Sequence, residues 1–144
     1  MSNLDATKMK VQRILAENLN GVELTEAGFT VRNGTTRAFI TCSERDNGNR
    51  TYVRVQVPLL MQVRPSPELF EYIAFHAAEY MFGTVHLMQP ADDGTSILMF
   101  EHTLLGDYLD EEELLSVVFG LAQVGDEIDE ELQAKFGGKR FHED

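Results

Sequence analysis

The longest amphipathic pattern in the chain runs from Asp110 to Phe136. Leu114, Val118, Leu121, Gly125, Ile128, Leu132 and Phe136 recur every three or four residues, the spacing that lays one apolar stripe along a helix. Asp110 stands as an N-cap, with Glu113 at the capping-box spacing. Glu111, Glu112 and Glu113 put negative charge at the positive end of the helix dipole. Lys135 and the pair Gly137-Gly138 mark the other end. The two halves of this helix differ. Leu115, Val117, Phe119, Ala122 and Val124 widen the stripe beyond what one sheet usually covers. From Asp126 onward the off-stripe positions turn acidic, with Asp126, Glu127, Asp129, Glu130 and Glu131. Gly120 and Gly125 lie inside, each weakening a helix by roughly 1 kcal/mol against alanine. A close approach, a bend and plain tolerance all accommodate them.

Before this helix the pattern changes period twice. Leu4, Val11, Ile14, Leu15 and Leu19 give a first helix over residues 3–20, ended by Gly21. Short strands follow over residues 22–25, 29–32 and 35–44, with Asn33-Gly34 as the tight turn between the last two. Asp46-Asn47-Gly48-Asn49 turns the chain into its longest strand, residues 51–63. There Val53, Val55, Val57 and Leu59 face one way, and Tyr52, Arg54 and Gln56 the other. Pro58 is expected to end the regular pairing or sit on an edge. Ser66-Pro67-Glu68 starts a second helix. Its inner stripe is Leu69, Ile73, His76, Ala77 and Tyr80, and it ends before Gly83. A hairpin of residues 84–89 and 95–104 precedes the last helix. The order is α-β-β-β-β-α-β-β-α, and every strand connection but one is a hairpin. This predicts an α+β sandwich, an antiparallel sheet flanked by helices on one face.

A sheet with one face in water alternates cleanly, and this one does not. Its second face carries Arg37, Phe39 and Thr41 beside Tyr52, Arg54 and Gln56, and the last hairpin is apolar on both faces. Methionines there suit an adaptable binding surface. The face reads as a partner-binding surface with Arg37, Phe39, Tyr52, Arg54 and Gln56 as contacts. It reads equally as a solvated face covered by arginine stems, or as a dimer contact. The apolar excess makes Met99, Val117, Phe119 and Val124 a candidate dimer interface.

At 144 residues the chain is expected to form one domain with a core that needs no metal or disulfide. Residues 1–72 carry 9 basic and 8 acidic side chains, against 3 and 16 in residues 73–144, for a net charge of −12. A surface so charged repels phosphate backbones and anionic membranes, so neither nucleic acid nor membrane is expected as partner. An acidic half points to solubility first and a basic partner second. Cys42 is the only cysteine, and residues 2–20 lack a signal-peptide apolar region, so the expected location is cytoplasmic.

The candidate chemistry is thin. A Cys-His nucleophile needs Cys42 beside His76, His86, His102 or His142 with an orienting acid, yet Cys42 falls on the apolar side of its strand. In the simplest register His86 opposes Leu98, about 13 Å from His102 along the strand, too far to share an ion. Asp107, Asp110 and Glu111–Glu113 lack the calcium-loop pattern, and helix capping explains them. No phosphate-loop, dinucleotide, zinc-protease or serine-elbow motif is present. No catalytic residue, metal or cofactor is expected.

Two segments carry a resemblance. HTLLGDYLDEEELLSVVFGLAQVGDEIDEELQAKFGG, from His102 to Gly138, closely resembles the C-terminal signature of actinobacterial YbjN-like proteins. These are grouped with the type III secretion chaperones as a peptide-binding, chaperone-like superfamily. VRVQVPLLMQVRPSPELFEYIAFHAAEYMFGTVHL, from Val53 to Leu87, resembles that family's middle portion. The resemblance implies a secretion-chaperone-like sandwich over residues 1–138, with 139–144 a short tail. It also implies a homodimer, no enzymatic activity, and the binding of extended segments of a partner. The expected function is therefore a non-enzymatic peptide- or protein-binding module. The alternatives are a structural or regulatory homodimer without a client and, more remotely, a small-ligand enzyme using His102 and nearby acids.

Overall fold

A computed structural model of the chain describes residues 1–33 and 36–141. Its centre is β4, Arg50–Val63, which pairs with β3, Thr36–Arg45, on one side and β6, Ser96–Leu105, on the other. β1, Glu23–Thr25, and β2, Gly28–Asn33, extend the sheet beyond β3, and β5, Thr84–Leu87, lies outside β6. The strand order is β1-β2-β3-β4-β6-β5, antiparallel throughout. Three helices complete the chain: α1, Asn3–Asn18; α2, Pro67–His76; and α3, Glu111–Phe136. The element order is the one the sequence pattern predicts. The Asn33-Gly34 turn lies outside the described residues.

The core forms where the period-two and period-3.6 stripes meet. Val53, Val55, Val57 and Leu59 of β4 are fully buried. Ala38 and Ile40 flank them from β3, Leu98 and Phe100 from β6. α3 lies across β3, β4 and β6 and also touches α1. Its stripe buries Leu114, Val118, Leu121, Gly125 and Leu132. Asp110 caps it, its carboxylate accepting the Glu113 N–H at 2.8 Å. Part of the widened stripe is taken up by the same chain. Val117 is 1% exposed and Ala122 2%, because a helix spanning three strands and a second helix buries more than one face.

Pro58 breaks one pairing and not the other. The Gly106 N–H donates to the Thr51 carbonyl at 2.8 Å. By the alternation of an antiparallel ladder, odd-numbered β4 residues then bond toward β6 and even-numbered ones toward β3. The missing donor of Pro58 falls on the β3 side. Accordingly β3 pairing stops at Phe39–Gln56, while β6 pairing continues through Pro58–Met99. Past Pro58 the strand bulges twice before Val63, and Gln62 takes a φ of 55°.

Two expectations need correction. α2 ends at His76 rather than just before Gly83, and of its stripe only Leu69 is fully buried. The Ala77 carbonyl, which a longer helix would offer to its next turn, accepts the Val85 N–H of β5 at 3.1 Å instead. The last hairpin is shifted by one residue, pairing His86 with Met99 rather than Leu98. Because side chains alternate, that slip puts His86 on the face opposite Phe100 and His102.

Candidate functional surface

The sheet face away from α1 and α3 is built by β3, β4, β6 and β5. Phe39 lies opposite Gln56 and Thr41 opposite Arg54. Across the other side of β4, Arg54 faces Thr103 and Gln56 faces Glu101. Period two thus sets Arg37, Phe39, Tyr52, Arg54 and Gln56 on one face, as the sequence pattern has it. Arg37, Phe39, Tyr52 and Gln56 are half-buried and Arg54 is exposed. Tyr52 and Arg54 line a shallow depression of about 380 Å³ with Ser43, Arg45, Asp46 and Thr103.

Glu101 is the hub of this face, and sequence reasoning missed it. Its carboxylate lies 3.4 Å from the Arg54 Nε and accepts from the Gln56 amide at 3.3 Å. The His86 Nε2 meets its other oxygen. The three partners come from β4 and β5, so only the final register could have revealed the cluster. The Arg54 side chain remains 50% exposed. Its ion pair is therefore worth little to stability, and the guanidinium is open to an incoming group.

At one margin of the face the chain covers itself. Beyond α3, the Lys139 N–H donates to the Met61 carbonyl at 2.8 Å, and the Met61 N–H donates to the Lys139 carbonyl at 2.6 Å. Residue 139 thereby takes the β4 edge that β3 leaves past Pro58. Two residues on, the Phe141 ring meets Phe39 edge-to-face at 5.5 Å. These residues fall in the stretch that the resemblance sets apart as a short tail.

The residues singled out for a dimer interface are placed in two groups. Met99 and Val117 are buried within the chain, at 6% and 1% exposure, so neither is a surface residue. Phe119 remains 46% exposed and Val124 is half-buried. The larger exposed apolar surface belongs to α2 and its neighbours. Phe70, Phe75 and Met81 are 53%, 75% and 89% exposed. Phe70 and Ile73 also line a groove of about 440 Å³ with Leu87, Met88 and Pro90.

The candidate catalytic groups have structural duties. Burial raises the Cys42 thiol above its ordinary range. The His102 Nδ1 accepts the Gly83 N–H at 3.1 Å, His76 meets Glu79, and His142 lies outside the described residues. Asp107 clamps α1 to β4. It accepts from Asn3 at 2.7 Å, from the Thr51 hydroxyl at 3.0 Å and from the Thr51 N–H at 3.2 Å. The Asn3 bond foremost, then those of Thr51, holds its carboxyl below the ordinary range. Among the described residues no group of three or more His, Cys, Asp or Glu is placed to hold a metal ion. No helix among them is long and apolar enough to cross a membrane.

Three helices and a six-stranded antiparallel sheet make an α+β architecture. A chain in the crystal structure of the ExsC–ExsE complex superimposes with a TM-score of 0.61, covering 90% of this chain and 96% of that one at 10% identity. Residues 5–144 match the model of the family described as T3SS (YopN, CesT) and YbjN peptide-binding chaperone 1, TY-Chap1. The chain belongs to this family, and its class is that of a non-enzymatic, peptide-binding chaperone. The resemblance carried by Val53–Leu87 and His102–Gly138 thus extends over nearly the whole chain. No curated protein matches it.

Proposed function

We propose that this protein holds an extended segment of a client protein against the β3-β4-β6 face, with Arg37, Phe39, Tyr52, Arg54 and Gln56 as its contacts. The observation that carries this reading is the grouping of those side chains on the one face α1 and α3 leave uncovered, beside the depression at Tyr52 and Arg54. Arginine and aromatic side chains are the usual anchors of interfaces. The Arg54 guanidinium, shared with Glu101 and half in solvent, can turn to a client carboxylate or carbonyl at little cost. The test is affinity capture with the bound peptides identified, using wild type, Tyr52→Ala and Arg54→Glu. Both variants should keep the wild-type circular dichroism, since neither side chain faces the core, and both should lose the captured peptides. Undiminished capture by both would remove this face from the reading.

The protein acts in the cytoplasm as a homodimer on this proposal. The buried positions of Met99 and Val117 move the expected contact away from them and onto α2. That helix buries only Leu69 fully inside its own chain and leaves Phe70 and Phe75 in water. A charge set into a desolvated interface is costly. Phe75→Glu should therefore shift the sedimenting species toward monomer, while Phe119→Glu tests the α3 flank. A monomeric wild type at micromolar concentration refutes the dimer.

A further inference from the structure

At one margin of the sheet face the chain pairs with its own β4 edge. β4 loses β3 after Gln56, and beyond Pro58 its edge is taken by one residue, Lys139, through the paired bonds to Met61. The approach is close: a Cβ at Gly138, which has a φ of 80°, would stand 2.6 Å from the Met61 carbonyl oxygen and 2.8 Å from a Val63 methyl. From Lys139 the chain crosses onto the client face, and Phe141 places its ring on Phe39. One backbone bridge and one aromatic contact two residues later form a minimal version of strand addition with a side-chain anchor. Phe39 is among the side chains assigned to the client.

We infer that the Met61 edge and the Phe39 ring form a docking site for an extended client segment. That segment carries an aromatic side chain two residues after the one paired with Met61. Residues Lys139–Phe141 fill the site in the unoccupied protein and give way to the client. The inference rests on the proposed client face and names both the edge and an anchor within it. Displacement is feasible because among the described residues the backbone bridge is a single pair rather than a ladder, and because an incoming segment remakes the same bonds. The chain's own segment then acts as a competitor. The apparent affinity for a client is then the intrinsic affinity multiplied by the fraction of molecules whose edge is open.

The test uses the full chain and, as probe, a fluorescent synthetic peptide with the sequence of residues 137–144, read by anisotropy. Phe141→Ala removes the internal anchor. Lys139→Pro with Phe141→Ala removes in addition the N–H that bonds the Met61 carbonyl. The probe should bind the double variant about tenfold tighter than wild type, with Phe141→Ala between them. Adding Phe39→Ala should abolish the gain. Equal binding of the probe to all chains, or none to any, overturns the inference. If the double variant loses its circular dichroism, the comparison of Phe141→Ala with wild type decides alone. Failure here with captured peptides still lost in Tyr52→Ala and Arg54→Glu sinks the self-covered edge and leaves the client face standing. Failure of those two variants to change capture, with the probe behaving as expected, does the reverse.

Discussion

Two glycines in α3 should respond to alanine with opposite sign. A Cβ at Gly125 would lie 2.9 Å from a Val57 methyl and 3.4 Å from methyls of Leu59 and Thr36. Val57 and Leu59 are fully buried in the centre of the sheet, so neither can swing away to make room. A Cβ at Gly120 meets only the Phe82 ring edge, at 3.4 Å, an ordinary contact. Alanine at either site recovers about 1 kcal/mol of helix propensity. At Gly120 nearly all of that gain should survive, leaving the variant more stable by about 0.5–1 kcal/mol. At Gly125 the added methyl overpacks a rigid core at a cost of about 1–3 kcal/mol, for a net loss of up to about 2 kcal/mol. The propensity gain is common to both, so the gap between the two variants isolates the overpacking, about 1–3 kcal/mol. Urea denaturation followed by circular dichroism measures it, provided the m-values agree. Equal midpoints, or a Gly125→Ala more stable than Gly120→Ala, would refute the packing of α3 against β4 through Gly125.

Other consequences can be measured alongside. Leu121→Ala empties a fully buried site and should cost about 2–5 kcal/mol, whereas Glu127→Ala, on the exposed side of α3, should cost under about 0.5 kcal/mol; equal denaturation midpoints would mean the wrong face is buried. Asp107→Asn should destabilise at about pH 7, because hydrogen bonds from Asn3 and Thr51 lower the folded-state pKa of Asp107 below its ordinary 3.8. Stability from a lowered carboxyl is present above the unfolded value and lost as pH falls through the folded one. The midpoint gap between wild type and Asp107→Asn should therefore close in acid, and a gap unchanged down to the lowest workable pH would contradict the clamp.

The sequence made α3 and β4 legible for a common reason: each carries a long stripe whose period a single packing face enforces. Asp110 and Ser66 also announce their helices through side-chain caps that form locally. What the pattern could not reveal depends on contacts between distant segments. α2 stops at His76 because Val85, nine residues on, takes the Ala77 carbonyl. The one-residue shift of the β5–β6 pairing moved His86 off the face of His102 and onto Glu101. Val117 reads as surplus until α3 is seen to cross three strands and meet α1. The shared face of Arg37, Phe39, Tyr52, Arg54 and Gln56 was visible because period two places them without knowledge of register, whereas Glu101 and Phe141 required the assembled sheet.

The claim that an extended client lies on the β3-β4-β6 face is tested most directly by amide NMR. The ¹⁵N-labelled protein would be titrated with a captured peptide and its shift changes mapped. The largest changes are expected at Phe39, Tyr52, Arg54, Gln56 and Thr103, with little change from Glu127 to Glu131. The largest changes falling instead on the acidic end of α3, or on α2 from Pro67 to His76, would contradict it.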